Sequence, residues 1–325
     1  SDIKFGTDGW RAIIADDYTV QNVIRVAEAT ALFMKERSMQ KVIIGYDCRF
    51  GGKLFAETAA RVMGTYKIEV VMGDHVASTP MVSLGVRKLG ADLGIVITAS
   101  HNPPSYNGFK LKSSFGGPSI PADVTSVENH IPTQAMKALV SIDDMKSNGL
   151  LKYMNLEDMY YDHVMASFDV PAIRNSTFTI GYDAMYGAGY LIFPRILPQA
   201  KCLHCDYNPS FYGQAPEPIE RNLQPFSDMI KGDPGMQIGI ANDGDADRIG
   251  MFDGDGNFVD SHHILLLLLL YLHKYKGMNG KVVVTFSVTD KMVQMAQKFG
   301  LPYEVTKIGF KYIAEIMTRE DVLVG

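Results

Sequence analysis

The chain is 325 residues long, 46% hydrophobic and 21% charged, with a formal net charge of −5 at pH 7. That is the composition of an ordinary globular protein, the length exceeds one hydrophobic core so that two or three domains are expected, and the acidic balance argues against a nucleic-acid surface. The longest apolar run, residues 264–272, is nine residues, against roughly 20 for a membrane-spanning helix, and is read as a buried helix.

The opening segment Phe5-Gly6-Thr7-Asp8-Gly9-Trp10-Arg11 offers Arg11 as a candidate phosphate contact, since a guanidinium fork matches phosphate oxygens. After the potential cap Thr19, Val20, Val23, Ile24, Ala27, Ala31 and Met34 recur at helical spacing. Val42-Ile43-Ile44 then reads as a strand. A helix over 54–63, a strand over 68–72, a helix over 79–89 and the strand Leu93-Gly94-Ile95-Val96-Ile97 follow. This alternation predicts an α/β domain over residues 1–150, closed by the polar stretches 116–132 and 141–150. A second α/β domain, 151–256, repeats Gly45-Tyr46-Asp47 as Gly181-Tyr182-Asp183 after the strand Phe178-Thr179-Ile180. It ends in the apolar run Ile238-Gly239-Ile240-Ala241, an acidic loop and a hairpin-like segment at 252–257. A third unit, 257–325, has helices at 264–275 and 290–299, a strand at 282–286 and a last strand Val322-Leu323-Val324.

Two segments carry chemistry. Residues 98–112 read TASHNPPSYNGFKLK, so Ser100 falls at or just past the end of a strand, the edge at which α/β sheets bind ligands. His101 stands beside it. Asn102-Pro103-Pro104 and Asn107-Gly108 are turn signals that would double the chain back and bring Lys110 toward Ser100. The acidic loop Asp243-Gly244-Asp245-Ala246-Asp247-Arg248 has carboxylates at alternate positions, which point the same way in an extended segment. Three hard oxygen donors suit magnesium or calcium rather than zinc. An EF-hand is excluded, because Arg248 and Gly254 stand where that loop requires Gly and Glu. Such a cation, with Arg11 and Arg248, would neutralise a phosphoryl group on Ser100.

Competing motifs fail. Asp47 and Leu54 break a P-loop around Gly52-Lys53. Ile192 breaks a dinucleotide fingerprint at Gly187-Ala188-Gly189. Thr98 and Asn102 occupy the glycine positions of a nucleophile elbow. Cys202-Leu203-His204-Cys205 lacks a second ligand pair. With Cys48 these are the only cysteines, and together with an opening that shows no secretory signal they suggest a cytoplasmic protein.

The Phe5–Arg11 segment, the serine loop and the acidic loop, in this order, resemble the α-D-phosphohexomutase family of phosphoglucomutases and phosphomannomutases. The resemblance implies repeated three-layer α/β/α domains, the third incomplete and the fourth absent. The chain stops about where the family's sugar-reading G-E-x-S-G loop should begin, and is therefore read as part of a longer protein. It also implies that Ser100 is the phosphoserine, and that Asp243, Asp245 and Asp247, with Ser100, bind Mg2+. Lys110 is assigned to proton transfer or phosphate stabilisation, serving as general base if its neighbours lower its pKa. Lys307 and Lys311, in Thr306-Lys307-Ile308-Gly309-Phe310-Lys311, match a loop that helps hold the sugar phosphate. The implied reaction interconverts hexose 1- and 6-phosphates through a hexose 1,6-bisphosphate. Glucose or mannose is expected, since Trp10 and Ala12 replace the Ile and Gly usual in the glucosamine branch. A phosphoglucosamine mutase and a catalytically silent phosphosugar-binding relative are the alternatives.

Overall fold

The computed structural model describes residues 3–325. Its first sheet contains β1 (Trp10–Ile13), β2 (Lys41–Tyr46), β3 (Glu69–Gly73), β4 (Leu93–Ile97), β5 (Tyr106–Ser113) and β6 (Leu151–Met154), in the spatial order β1-β5-β4-β2-β3-β6. The strands β4, β2, β3 and β6 are parallel, while β5 returns antiparallel to β4 and pairs with β1. Alternation along β2 divides its side chains between two layers. Val42, Ile44 and Tyr46 enter the larger core, lined by α1 (Val20–Glu36) and α2 (Gly52–Thr65), whereas Ile43 packs with Met81, Val82 and Val86 of α3 (Thr79–Lys88). Thr19 caps α1 by accepting from the Asn22 amide at 3.2 Å, and Val23, Ile24, Ala27, Ala31 and Met34 are buried on its inner face.

Residues 116–132 and 141–150 differ from a connecting stretch. They hold the helices Pro121–Asn129 and Ile142–Ser147, whose Val127 and Met145 enter the first core. The first sheet also passes the expected boundary at 150, because Leu151–Met154 hydrogen-bonds in parallel register to β3.

The second sheet consists of β7 (Thr179–Asp183), β8 (Lys201–Leu203), β9 (Met236–Asn242), β10 (Ile249–Asp253) and β11 (Phe258–Val259), ordered β11-β10-β9-β7-β8. The third is parallel, with β12 (Lys281–Thr285) between β13 (Tyr303–Thr306) and β14 (Val322–Val324). Helices cover both of its faces. Leu269, Met292 and Ala296 pack with Val282 and Val284 on one side, while Ile313 and Ile316 meet Val283 on the other. The run at 264–272 is only partly buried. Its helix Ser261–Leu270 buries Ile264 and Leu269, while Leu267 and Leu268 are 54% and 46% exposed, because a helix apolar on every side has only part of its circumference packed here. No described helix is long and apolar enough to cross a membrane.

Candidate active site

The serine loop joins β4 to β5. Asn102-Pro103-Pro104 lies in the reversal, and the Tyr106 amide donates to the Pro103 carbonyl at 3.0 Å. Asn107-Gly108 differs from the turn that its sequence suggests. Both residues lie in β5, where a β-carbon on Gly108 would stand 2.4 Å from the Thr98 carbonyl oxygen and 2.7 Å from that of Trp10. Glycine is required there by the close approach of flanking strands. The register sets Lys110 opposite Val96.

Ser100 is buried, in the left-handed region at φ 52°. Its Oγ donates to Asp243 Oδ2 at 2.8 Å, and its amide donates to Thr98 Oγ1 at 2.9 Å. The backbone around it is held by Arg49, whose guanidinium donates to the carbonyls of Ser100 (2.7 Å), Asn102 (2.7 Å), Pro103 (2.8 Å) and Tyr106 (3.0 Å). Asp47 stands beside this guanidinium, its Oδ2 3.5 Å from Arg49 Nε, and also accepts from Thr98 Oγ1 at 2.5 Å. Burial pushes the Asp47 carboxyl up to about 6, against the lowering effect of Arg49.

The acidic loop connects β9 to β10 and is a tight turn rather than an extended segment. The Ala246 amide donates to the Asp243 carbonyl, with Ala246 at φ 55°. This turn converges the carboxylates, and one oxygen from each of Asp243, Asp245 and Asp247 lies within 4.8 Å of the others. Asp243 Oδ1 accepts from the amides of Asp247 and Arg248, both at 3.0 Å. The loop docks on the start of α3, where the Thr79 hydroxyl donates to Asp245 Oδ2 at 2.6 Å and the Thr79 amide to the Asp245 carbonyl at 3.0 Å. A helix N-terminus favours a carboxylate there. Gly244 permits the loop to reach the serine, since a β-carbon on it would stand 2.4 Å from the Ser100 carbonyl oxygen.

Lys110 Nζ is surrounded by carboxylates, 2.8 Å from Asp8 Oδ2, 2.8 Å from Asp245 Oδ2 and 3.2 Å from Asp247 Oδ2. Burial alone would lower its pKa, but Asp245, Asp247 and Asp8 outweigh it and hold the ammonium above its ordinary value. A general base needs a lowered pKa, whereas these carboxylates favour the charged ammonium. Burial would raise Asp245, but Lys110 holds it below the usual carboxylate range. Asp243 is pushed well above that range by burial and by repulsion from Asp245 and Asp247. The buried Asp245 Oδ1 has no hydrogen-bond partner among the described residues. An orphaned carboxylate oxygen within a three-carboxylate cluster fits a hard divalent cation such as Mg2+, with Asp243, Asp245 and Asp247 as the residues that would hold it.

His101 Nδ1 lies 3.5 Å from Ser100 Oγ. Burial, then Arg248 and Arg11, depress its pKa to about 4, leaving the imidazole neutral near pH 7. Arg11 donates to Asn102 Oδ1 at 2.9 Å and thus meets the serine loop, and Arg248 Nε lies 3.9 Å from Asp243 Oδ2. Beside this centre a cleft of about 590 Å³ runs between the three units, lined by Asp8, Thr79, Lys112, Asp247, Arg248 and Lys311 among others. Lys307 is exposed and does not line it. Sequence reasoning missed Arg49, Thr79, Lys112 and the part played by Asp8. Only Asp8, inside the opening segment, and Lys112, at the end of the serine-loop motif, lay in segments that carried a signal. Among the described residues the aspartate triad is the only cluster suited to a metal, and Cys202-Leu203-His204-Cys205 forms none.

Comparison with known proteins matches residues 2–138, 158–256 and 260–325 to the alpha/beta/alpha domains I, II and III of phosphoglucomutase/phosphomannomutase. A protein of Pyrococcus furiosus named a probable phosphoglucosamine mutase is 28% identical over 324 residues, covering 99% of this chain and 69% of that protein. One of Thermococcus kodakarensis named phosphoglucomutase/phosphomannomutase is 27% identical over 331 residues, covering 99% of this chain and 70% of that one. The crystal structure of a putative phosphomannomutase from Thermus thermophilus superposes with a TM-score of 0.91 at 31% identity, covering 99% of this chain and 73% of that chain.

Proposed function

Because the chain belongs to the phosphoglucomutase/phosphomannomutase family, we propose that it is a phosphohexomutase that interconverts hexose 1-phosphate and hexose 6-phosphate by way of a phosphoserine at Ser100. The observation that carries this reading is the hydrogen bond from Ser100 Oγ to Asp243, which joins the hydroxyl to the carboxylate cluster at 2.8 Å.

The reaction balances without water. The bond between phosphorus and Ser100 Oγ breaks as a bond forms to the free hydroxyl of a hexose monophosphate, giving the 1,6-bisphosphate. The phosphoryl group at the sugar's other end then returns to Ser100. When bound by Asp243, Asp245 and Asp247, with the Ser100 phosphoryl group beside them, magnesium supplies positive charge against the phosphoryl oxygens. Arg11 and Arg248 add fixed positive charge, and Arg49 holds the serine carbonyl. The attacking hydroxyl must lose a proton as it gains the phosphoryl group. The leaving Ser100 Oγ takes up a proton in the same step, and His101, 3.5 Å from that oxygen, is placed to move a proton there, whereas the carboxylate-bound Lys110 ammonium stabilises the loop's charge. Lys311 in the cleft wall is a further phosphate contact. Lys307 could serve only by moving.

Glucose or mannose phosphate is the substrate favoured by Trp10 and Ala12. Phosphoglucosamine is the second reading, favoured by the name of the Pyrococcus relative. A coupled assay with glucose 1-phosphate, magnesium and trace glucose 1,6-bisphosphate tests the activity. Turnover abolished by Ser100→Ala supports it, and turnover retained in that variant overturns it. Release of free phosphate would identify a phosphatase instead.

A further inference from the structure

Lys110 and Lys112 are two residues apart on β5 and therefore project from the same face of the sheet. Their surroundings differ sharply. Three carboxylates lie within 3.2 Å of the Lys110 ammonium. Lys112 is only 5% exposed, and its ammonium makes no hydrogen bond or ion pair among the described residues. Gly94, opposite it in β4, makes room for the stem, since a β-carbon there would stand 3.0 Å from Lys112 Cβ and 2.8 Å from Val86 Cγ2. The aliphatic part thus crosses apolar ground. Its tip reaches the cleft wall that also carries Arg248 and Lys311.

An ammonium set this deep at a cleft wall, with no direct ion-pair partner, favours an anion that enters the cleft beside it. The carboxylates nearest the cleft, Asp8 and Asp247, are already within hydrogen-bond reach of Lys110. Asp8, Asp247 and Asp245 favour the charge on Lys112 through space, but none pairs with it directly, so an anion entering the cleft is free to take that contact. A phosphate dianion suits a compact ammonium flanked by a guanidinium and a second lysine. The phosphoryl group being transferred sits at Ser100 against Asp243, a residue that Lys112 does not touch.

We infer that Lys112 is a substrate-binding residue whose ammonium holds the non-transferring phosphate of the hexose monophosphate. This rests on the phosphohexomutase reading and adds a phosphate ligand on the cleft wall. The second lysine of the pair, not the first, is then the one that meets substrate.

Lys112→Met and Lys112→Arg, measured both for turnover of glucose 1-phosphate and for calorimetric binding of glucose 6-phosphate, test the inference. In Lys112→Met the KM and the dissociation constant rise about tenfold or more, as expected for loss of a charge-assisted hydrogen bond, with a smaller change in kcat. Lys112→Arg recovers most of the affinity, and the thermal midpoint of unliganded Lys112→Met does not fall. KM and affinity unchanged within about twofold, or kcat and stability falling together without a change in affinity, overturn it. Absence of turnover in the wild type, with glucose 6-phosphate affinity still dependent on Lys112, removes the mutase reading while upholding Lys112 as a phosphate ligand. Absence of phosphosugar binding by the wild type overturns both.

Discussion

The guanidinium of Arg49 donates to the main-chain carbonyl of Ser100 at 2.7 Å, and three further carbonyls of the same loop share its remaining protons. Four of the five N–H groups of this planar fork satisfy four backbone acceptors that would otherwise be left inside a buried turn, and Nε lies 3.5 Å from Asp47 Oδ2. The serine's left-handed backbone, at φ 52°, is held by this clamp.

Arg49→Lys retains the charge beside Asp47 but cannot reproduce the fork. It is predicted to lower kcat about 10²-fold, the effect of a small displacement of a reacting group, and to speed amide hydrogen exchange across residues 99–106. Arg49→Met also strands the Asp47 carboxylate, and should cost about 3–5 kcal/mol in urea unfolding. Unaltered exchange and kcat in Arg49→Lys would contradict the clamp.

Asp245 shares its Oδ2 with Thr79 and Lys110, while its Oδ1 is free for a cation. Asp245→Asn should weaken Mg2+ or Mn2+ binding by about tenfold or more, read by titration calorimetry on the protein. Removal of the metal with EDTA should stop turnover, and added Mg2+ should restore it. Metal affinity unchanged by Asp245→Asn would remove the aspartate loop from metal binding.

Gly108 lies where β5 passes between β1 and β4, and two carbonyl oxygens stand within 2.7 Å of the β-carbon that alanine would add. Neither belongs to a flexible side chain. Gly108→Ala is expected to destabilise by about 1–3 kcal/mol or more through forced backbone movement, visible as a lowered thermal midpoint. A midpoint equal to that of the wild type would show that the strands yield freely.

His130, at the end of the helix Pro121–Asn129, is hydrogen-bonded to the Ser126 carbonyl at 2.6 Å and to Glu36 at 2.8 Å. The Ser126 carbonyl first, and then Glu36, raise its pKa above the ordinary histidine value. A raised native pKa means that the folded state holds the proton more tightly. The stabilisation is therefore complete below about pH 6.5 and is lost as pH rises through the native value. The stability difference between wild type and His130→Gln should shrink from about pH 6 to pH 8.5, measured by urea unfolding. A difference independent of pH would refute the linkage.

The alternating elements of the first sheet were legible because α1 and β2 carry clean periodicity, and Ser100 and the three aspartates because each lies in a dense local motif. The limits have equally physical causes. Asn107-Gly108 reads as a turn by composition, yet its glycine answers a close approach from strands distant in sequence. The helix Ser261–Leu270 is apolar on every side, so periodicity could not tell which side would pack. Residues 151–154 carry no mark of which sheet they join. Arg49 and Lys112 gain their meaning from partners, or from the want of them, that only the folded chain brings near. The pKa of Lys110 likewise depends on Asp8 and Asp245, which lie 102 and 135 positions away.

The central claim is that Ser100 carries the phosphoryl group between the two ends of the sugar. Incubation with glucose 1,6-bisphosphate and magnesium, followed by intact-mass and peptide analysis, tests it most directly. The account predicts one phosphoryl group, mapped to Ser100, that is discharged on adding glucose 1-phosphate with formation of the bisphosphate. A protein that remains unphosphorylated while turning over, or one that carries the group on another residue, would contradict it.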